Sequence, residues 1–199
     1  MVSDEAVKYD RSTALVVVDV QNDFADPSGS LYVAGGEDVV AVANIEIARA
    51  VEDGATIVYT QDWHPPTTPH FVSSGGVWPV HCVGGTWGSE LHPDLRVEGE
   101  RVRKGTRGED GYSGFSVRDP ENGQMAPTVL EAMLRQRGVD RVVILGLATD
   151  YCVKETALDA VRLGFETVVL PTGIRPVDLQ AGDGQRALDD MAGAGVAFG

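Results

Sequence analysis

The chain has 199 residues, 43% hydrophobic and 23% charged, which is the composition of a globular protein able to bury a sizeable core as one domain, 1–199. Its net charge of −14 and pI near 4.5 argue against nucleic acid and against anionic membrane surfaces as partners. No apolar run approaches the roughly 18–20 residues of a spanning helix, the acidic start MVSDEAVKYD lacks the regions of a secretion signal, and two cysteines make no disulfide framework, so a reducing cytoplasm is the expected setting.

Thr13 to Val20, TALVVVDV, is a continuous apolar run, which reads as a strand buried on both faces of a parallel sheet, with Asp19 at its end. Asp38 to Val51 carries apolar residues at helical spacing and stops before Asp53-Gly54. Thr56 to Thr60 reads as a second buried strand, with Asp62 just past it. The stretch from there to Pro127 has weak periodicity and many Gly, Pro, Trp and His; a structureless loop that long is uncommon unless it is functional. Pro127 to Arg137 reads as a helix, with Pro in its first turn and Gly138 past its end. A strand at Arg141–Leu145, a helix from about Tyr151 to Leu163, a strand at Thr167–Leu170, a helix at Gln185–Ala194 and a short strand at Val196–Phe198 follow. Lys8 to Arg11 and Leu31 to Gly35 read as loop. Strand and helix alternate, so the expected fold is α/β: a doubly wound, mainly parallel sheet with helices on both faces. In such sheets the site lies at the carboxyl ends of the strands. Asp19, Asp62 and Cys152 are expected to converge there.

Each candidate group has two readings. Cys152 sits where a strand and a sharp turn become a helix. The helix dipole there favours thiolate, and nearby N–H groups can face an oxyanion; the other reading is a small packed cysteine. Asp19 is either a partly desolvated carboxylate suited to proton transfer or a partner for a backbone N–H. Asp62, His64, His70 and His81 gather three of the four histidines beside one carboxylate, a donor set suited to Zn, Fe or Mn with positions left open for water or substrate. Alternatively they are loop histidines bonded to backbone. Lys104, in RVRKGTR, reads by itself as part of a solvated basic patch with Arg101, Arg103 and Arg107; beside a thiol it would lower the thiol's pKa. Phe24, Trp78 and Tyr112 wall a pocket for a flat ring, or belong to the core. Cys82 reads as a small core residue and His92 as supporting or structural.

Taken together, VDVQNDF, QDWHPPTTPHF, WPVHCVGGTWGSELHP, the lysine in RVRKGTR, DGYSGF and GLATDYCVKETALDA resemble the nicotinamidase (pyrazinamidase) family of isochorismatase-like cysteine hydrolases. The resemblance runs from about Thr13 to Met191. It implies a three-layer α/β/α fold and a catalytic set of Asp19, Lys104 and Cys152. It implies one divalent metal ion (Zn, Fe or Mn) on Asp62, His64, His70 and His81. Backbone N–H groups of Ala148 and Cys152 would form the oxyanion hole, and the Leu147–Ala148 peptide bond would be cis. Phe24, Trp78 and Tyr112 would bind the substrate ring. The implied reaction converts nicotinamide to nicotinate and ammonia, and pyrazinamide to its acid, in NAD salvage, by a monomer or homodimer. The rivals are another cysteine amidohydrolase of the same superfamily and a non-catalytic metal-binding α/β module. A nucleotide-binding version of the second is weakened by the absence of a nucleotide-binding glycine motif, and a metal-binding module would leave Asp19, Lys104 and Cys152 apart.

Overall fold

The computed structural model describes residues 7–199; the first six residues of the acidic N-terminal stretch lie outside the described residues. The elements in chain order are β1 (Thr13–Val18), α1 (Asn22–Ala25), α2 (Gly36–Glu52), β2 (Thr56–Asp62), β3 (Glu100–Lys104), β4 (Ser116–Arg118), β5 (Met125–Pro127), α3 (Leu130–Gln136), β6 (Arg141–Leu147), α4 (Lys154–Arg162), β7 (Glu166–Arg175), α5 (Asp183–Gly193) and β8 (Ala197–Phe198). Six strands form one sheet in the order β3-β2-β1-β6-β7-β8, with every pairing parallel. β4 and β5 form a separate antiparallel ribbon.

The continuous apolar runs become central strands because both sheet faces are covered. Along β1, Leu15 and Val17 point into a core with Tyr59, Leu145 and the α2 residues Val39, Ala43 and Ile47. Ala14, Val16 and Val18 point into the opposite core, with Leu130 and Leu134 of α3, Ala157 and Ala160 of α4 and Met191 of α5. The chain grows from β1 outward to β3 on one side, then returns to lay β6 on the other side of β1. The switch point therefore lies between β1 and β6, where an open α/β sheet leaves a crevice at its carboxyl edge. The two strands approach closely there. Gly146 has φ +127°, and a Cβ on it would lie 2.0 Å from the Val18 carbonyl oxygen.

Several boundaries differ from the sequence reading. Strand geometry ends at Val18, and Asp19 leaves the sheet with φ +48°. β2 continues to Asp62 and β7 to Arg175. Pro127 lies on β5, pairing with Ser116, and not in the first turn of a helix. α3 starts at Leu130, whose N–H donates to Thr128 Oγ1 at 3.1 Å; proline, which has no N–H to donate, is tolerated on such an edge strand because no neighbouring strand needs that donor. The region between β2 and α3 is not structureless. It holds the edge strand β3, the β4–β5 ribbon and two short 3₁₀ turns.

Candidate active site

Asp19, Lys104 and Cys152 come from three separate strand ends. Asp19 follows β1, Lys104 closes β3, and Cys152 follows β6. The register of β2 with β3 places Lys104 opposite Asp62. On β3 the exposed Arg101 and Arg103 alternate with the buried Val102 and Lys104, so Lys104 is not part of a solvated basic patch. Its Nζ lies 2.7 Å from Asp19 Oδ2, 2.5 Å from Asp62 Oδ1 and 3.5 Å from Cys152 Sγ, and it donates to the Gly111 carbonyl oxygen. One oxygen each of Asp19 and Asp62 and the Cys152 sulfur all lie within 4.8 Å of one another. Thr60 Oγ1 donates to Asp19 Oδ1 at 2.6 Å and fixes the carboxylate plane.

Burial decides the charge states. It raises the Asp19 carboxyl above the usual aspartate range; the Lys104 ammonium opposes this and Asp62 adds to it. Burial alone would lower the Lys104 ammonium, but Asp19 and Asp62 hold it well above its ordinary value, so it stays charged. Burial would also raise Asp62, yet Lys104 holds that carboxyl well below the usual range. Burial pushes the Cys152 thiol well above the usual range, Lys104 only partly offsets this, and the two carboxylates add to it. The helix dipole does not yield a standing thiolate here, and the thiol waits for a base. The turn that presents Cys152 is a π-helical one, Thr149–Val153, which runs into α4. The Leu147–Ala148 peptide bond before it is cis.

Beside this cluster stand the histidines. His64, His70 and His81 are buried, and one ring nitrogen from each lies within 4.8 Å of the other two. The second oxygen of Asp62 faces them, 3.6 Å from His64 Nε2 and 3.8 Å from His81 Nε2. Their other nitrogens are partly anchored. His81 Nδ1 donates to the Pro79 carbonyl oxygen at 2.7 Å, and His70 Nδ1 pairs with Asp110 Oδ1 at 2.9 Å. Burial lowers the His70 pKa, against the pull of Asp110, so its ring is neutral and able to ligate. Both His64 nitrogens are buried with no hydrogen-bond partner among the described residues. An orphaned imidazole pointing at two others and a carboxylate fits a divalent metal ion. The His64 ring reaches this place because Gly105, at φ +74°, has no side chain; a Cβ there would lie 2.7 Å from His64 Cε1.

A cavity opens onto both clusters. Phe24, Trp78 and Tyr112 line it, with Asp62, His70, His81, Ala148 and Cys152. Trp78 Nε1 donates to the Tyr112 hydroxyl at 2.8 Å, and burial pushes that hydroxyl's pKa up to about 12. The sequence reading missed Tyr151, which meets Trp78 edge-on with ring centroids 4.9 Å apart, and the wall residues Leu31, Val33 and Val177. Tyr151 was findable as the aromatic neighbour of Cys152; the other three sit in stretches with no period to read. It also missed the groups that fix the site. Gln21 binds the backbone of Asp62 through both ends of its amide, each at 2.8 Å. Asp23 takes the Cys82 N–H at 2.7 Å and the Ser30 N–H at 3.0 Å. Polar groups in QND directly after a strand end were the available signal. The loop is thus ordered by protein partners as well as by any metal. Cys82 is buried and structural, with its sulfur 3.8 Å from the Gly88 carbonyl oxygen. His92 is structural too: its Nδ1 accepts from the Asp94 N–H at 3.3 Å.

Known proteins are similar to this chain over most of its length. The Isochorismatase domain matches residues 13–197. The nicotinamidase of Escherichia coli (strain K12) is 38% identical over 201 residues, covering 92% of each chain. The nicotinamidase/pyrazinamidase of Mycobacterium tuberculosis is 42% identical over 191 residues, covering 92% of this chain and 96% of that one. The crystal structure of the pyrazinamidase of Pyrococcus horikoshii in complex with zinc superposes with a TM-score of 0.84 at 40% identity, covering 94% of this chain and 98% of that one. The chain belongs to the isochorismatase domain family.

Proposed function

We propose that this protein is a metal-dependent cysteine amidohydrolase that converts nicotinamide to nicotinate and ammonia, and pyrazinamide to its acid, in NAD salvage. The observation that carries this reading is the placement of Cys152 Sγ, 3.5 Å from Lys104 Nζ and within 4.8 Å of an Asp19 oxygen, on an aromatic-lined cavity beside three buried histidines. The names of the relatives support the substrate. The reading takes 1–199 as one hydrolase domain. Among the described residues no helix is long and apolar enough to cross a membrane, and both cysteines are unpaired, which suits a cytoplasmic setting.

The chain's own groups account for the proton traffic. Asp19 takes the Cys152 thiol proton, and the thiolate attacks the carboxamide carbon while Lys104 holds the charges of both. The carbonyl electrons move to oxygen, which lies against the N–H groups of Ala148 and Cys152; losing one such donor costs roughly 10²–10³ in rate. Asp19 then protonates the departing nitrogen, the C–N bond breaks, and ammonia leaves behind a thioester. Water loses a proton to Asp19 and attacks the thioester, the C–S bond breaks, and Cys152 recovers its proton. Asp62, His64, His70 and His81 would hold the cation, which as a Lewis acid supplies a contact for the ring nitrogen of the substrate. These donors suit Zn, Fe or Mn, and the crystal structure of the Pyrococcus horikoshii relative is in complex with zinc. Phe24, Trp78 and Tyr112 confine the flat ring so that its carboxamide meets the sulfur.

The test is ammonia release from nicotinamide and from pyrazinamide, before and after a chelator. Release that stops with the chelator and returns with added metal supports the reading. Absence of release from either amide by the metal-loaded protein contradicts it.

A further inference from the structure

Three consecutive residues contact three different side chains of the site. Asp110 Oδ1 pairs with His70 Nδ1 at 2.9 Å, the Gly111 carbonyl oxygen accepts from Lys104 Nζ, and the Tyr112 hydroxyl accepts from Trp78 Nε1 at 2.8 Å. The backbone of Asp110 is itself pinned. Its N–H donates to the Arg118 carbonyl oxygen, and its own carbonyl accepts from the Arg118 N–H, both at 2.8 Å. Arg118 belongs to β4, which pairs with β5, so the Asp110 carboxylate stands on a hydrogen-bonded ribbon rather than on a free loop tip.

A carboxylate can only accept, so this pairing puts the proton of a neutral His70 on Nδ1 and leaves the Nε2 lone pair for the shared site. His81 is set in the same way by a neutral carbonyl, and His64 has no such partner among the described residues. His70 therefore has the charged acceptor, which both fixes the ring and makes its free nitrogen a stronger donor. We propose that Asp110 is a positioning residue for the metal centre, holding His70 in the tautomer and orientation that ligate. The proposal rests on the reading of His70 as a metal ligand. Asp110 acts through His70 and does not line the cavity.

The side chain of Asp110 is 23% exposed, so Asp110→Asn and Asp110→Ala do not hollow the core. The experiment measures zinc affinity of the full-length wild type and both variants by competition with a chromogenic chelator, together with melting of the metal-free proteins and turnover at saturating zinc. Asp110→Ala is expected to weaken zinc binding by roughly 10–100-fold. Asp110→Asn is expected to weaken it less, because the amide oxygen still accepts from Nδ1. Turnover at saturating zinc should stay within a few-fold of wild type in both. Zinc affinity of Asp110→Ala equal to wild type overturns the proposal and leaves the histidine set standing. A lower melting temperature with unchanged zinc affinity assigns Asp110 a structural role and also overturns it. A wild type that binds no zinc overturns both this proposal and the metal reading beneath it.

Discussion

Asp19, Lys104 and Cys152 each stand at or just past the end of a parallel strand, whereas His64, His70 and His81 stand in the segment between β2 and β3. The first cluster is placed by the sheet. Strand register sets its members side by side, and burial sets their charge states. The second cluster is placed by hydrogen bonds inside its own segment, such as Pro79 on His81, and by one from outside it, Asp110 on His70. The sheet cluster is internally paired, its ammonium facing two carboxylates. The loop cluster is incomplete, with both nitrogens of His64 lacking a partner among the described residues. A cluster whose charged groups are paired with one another should survive loss of metal, and one with unpartnered groups should depend on it. Asp62 belongs to both, one oxygen on Lys104 and the other toward the histidines.

That shared position makes Lys104 the place where the contrast breaks. Lys104→Ala leaves two buried carboxylates without their cation, which typically costs about 3–5 kcal/mol. It should also lower amide hydrolysis by about 10²–10³-fold. Urea unfolding and ammonia release check the two effects, and a variant as stable as wild type would mean that the carboxylates are not held as described. His70→Ala sharpens the contrast from the other side. Bound metal should fall by about 100-fold or more in affinity, a first-neighbour loss at least as large as that of a supporting group. The far-UV circular dichroism should not change, because the sheet does not rest on this ring. Unchanged metal content after dialysis would remove His70 from the ligand set.

The smallest expected effect is in the pH profile. Asp19 must be ionised to accept the thiol proton, and burial raises its pKa. The rate should therefore rise with pH along an acid limb centred above the ordinary aspartate value of about 3.9. Asp62, held well below that range by Lys104, stays ionised across the limb. An acid limb centred at or below the ordinary value would contradict the assignment of Asp19 as base.

What could be read in the sequence divides along the same line. β1, β2, β6 and β7 were legible because their apolar runs are continuous, and the ends of β1, β2 and β6 then pointed to Asp19, Asp62 and Cys152. The histidine set was legible by its crowding. β3 was not, because ERVRK buries only Val102 and Lys104 and looks like surface by itself. The role of Lys104 is a consequence of register with β2, which no local pattern announces; the family resemblance supplied it. The thiol's ionisation is not legible from the local sequence for a related reason. A helix dipole is local and visible in sequence, while burial among Asp19, Asp62 and Lys104 arises only when distant segments meet. Asp110 was invisible because its partner His70 lies forty residues away in sequence.

The most direct measurement is ammonia release from nicotinamide by Cys152→Ala beside wild type, with metal content determined on both samples. Release should fall by about 10⁴-fold or more, while metal content stays equal to wild type, because Cys152 does not belong to the histidine set. Turnover retained in a metal-loaded Cys152→Ala protein would contradict the assignment of Cys152 as the nucleophile and, with it, the mechanism derived from this site.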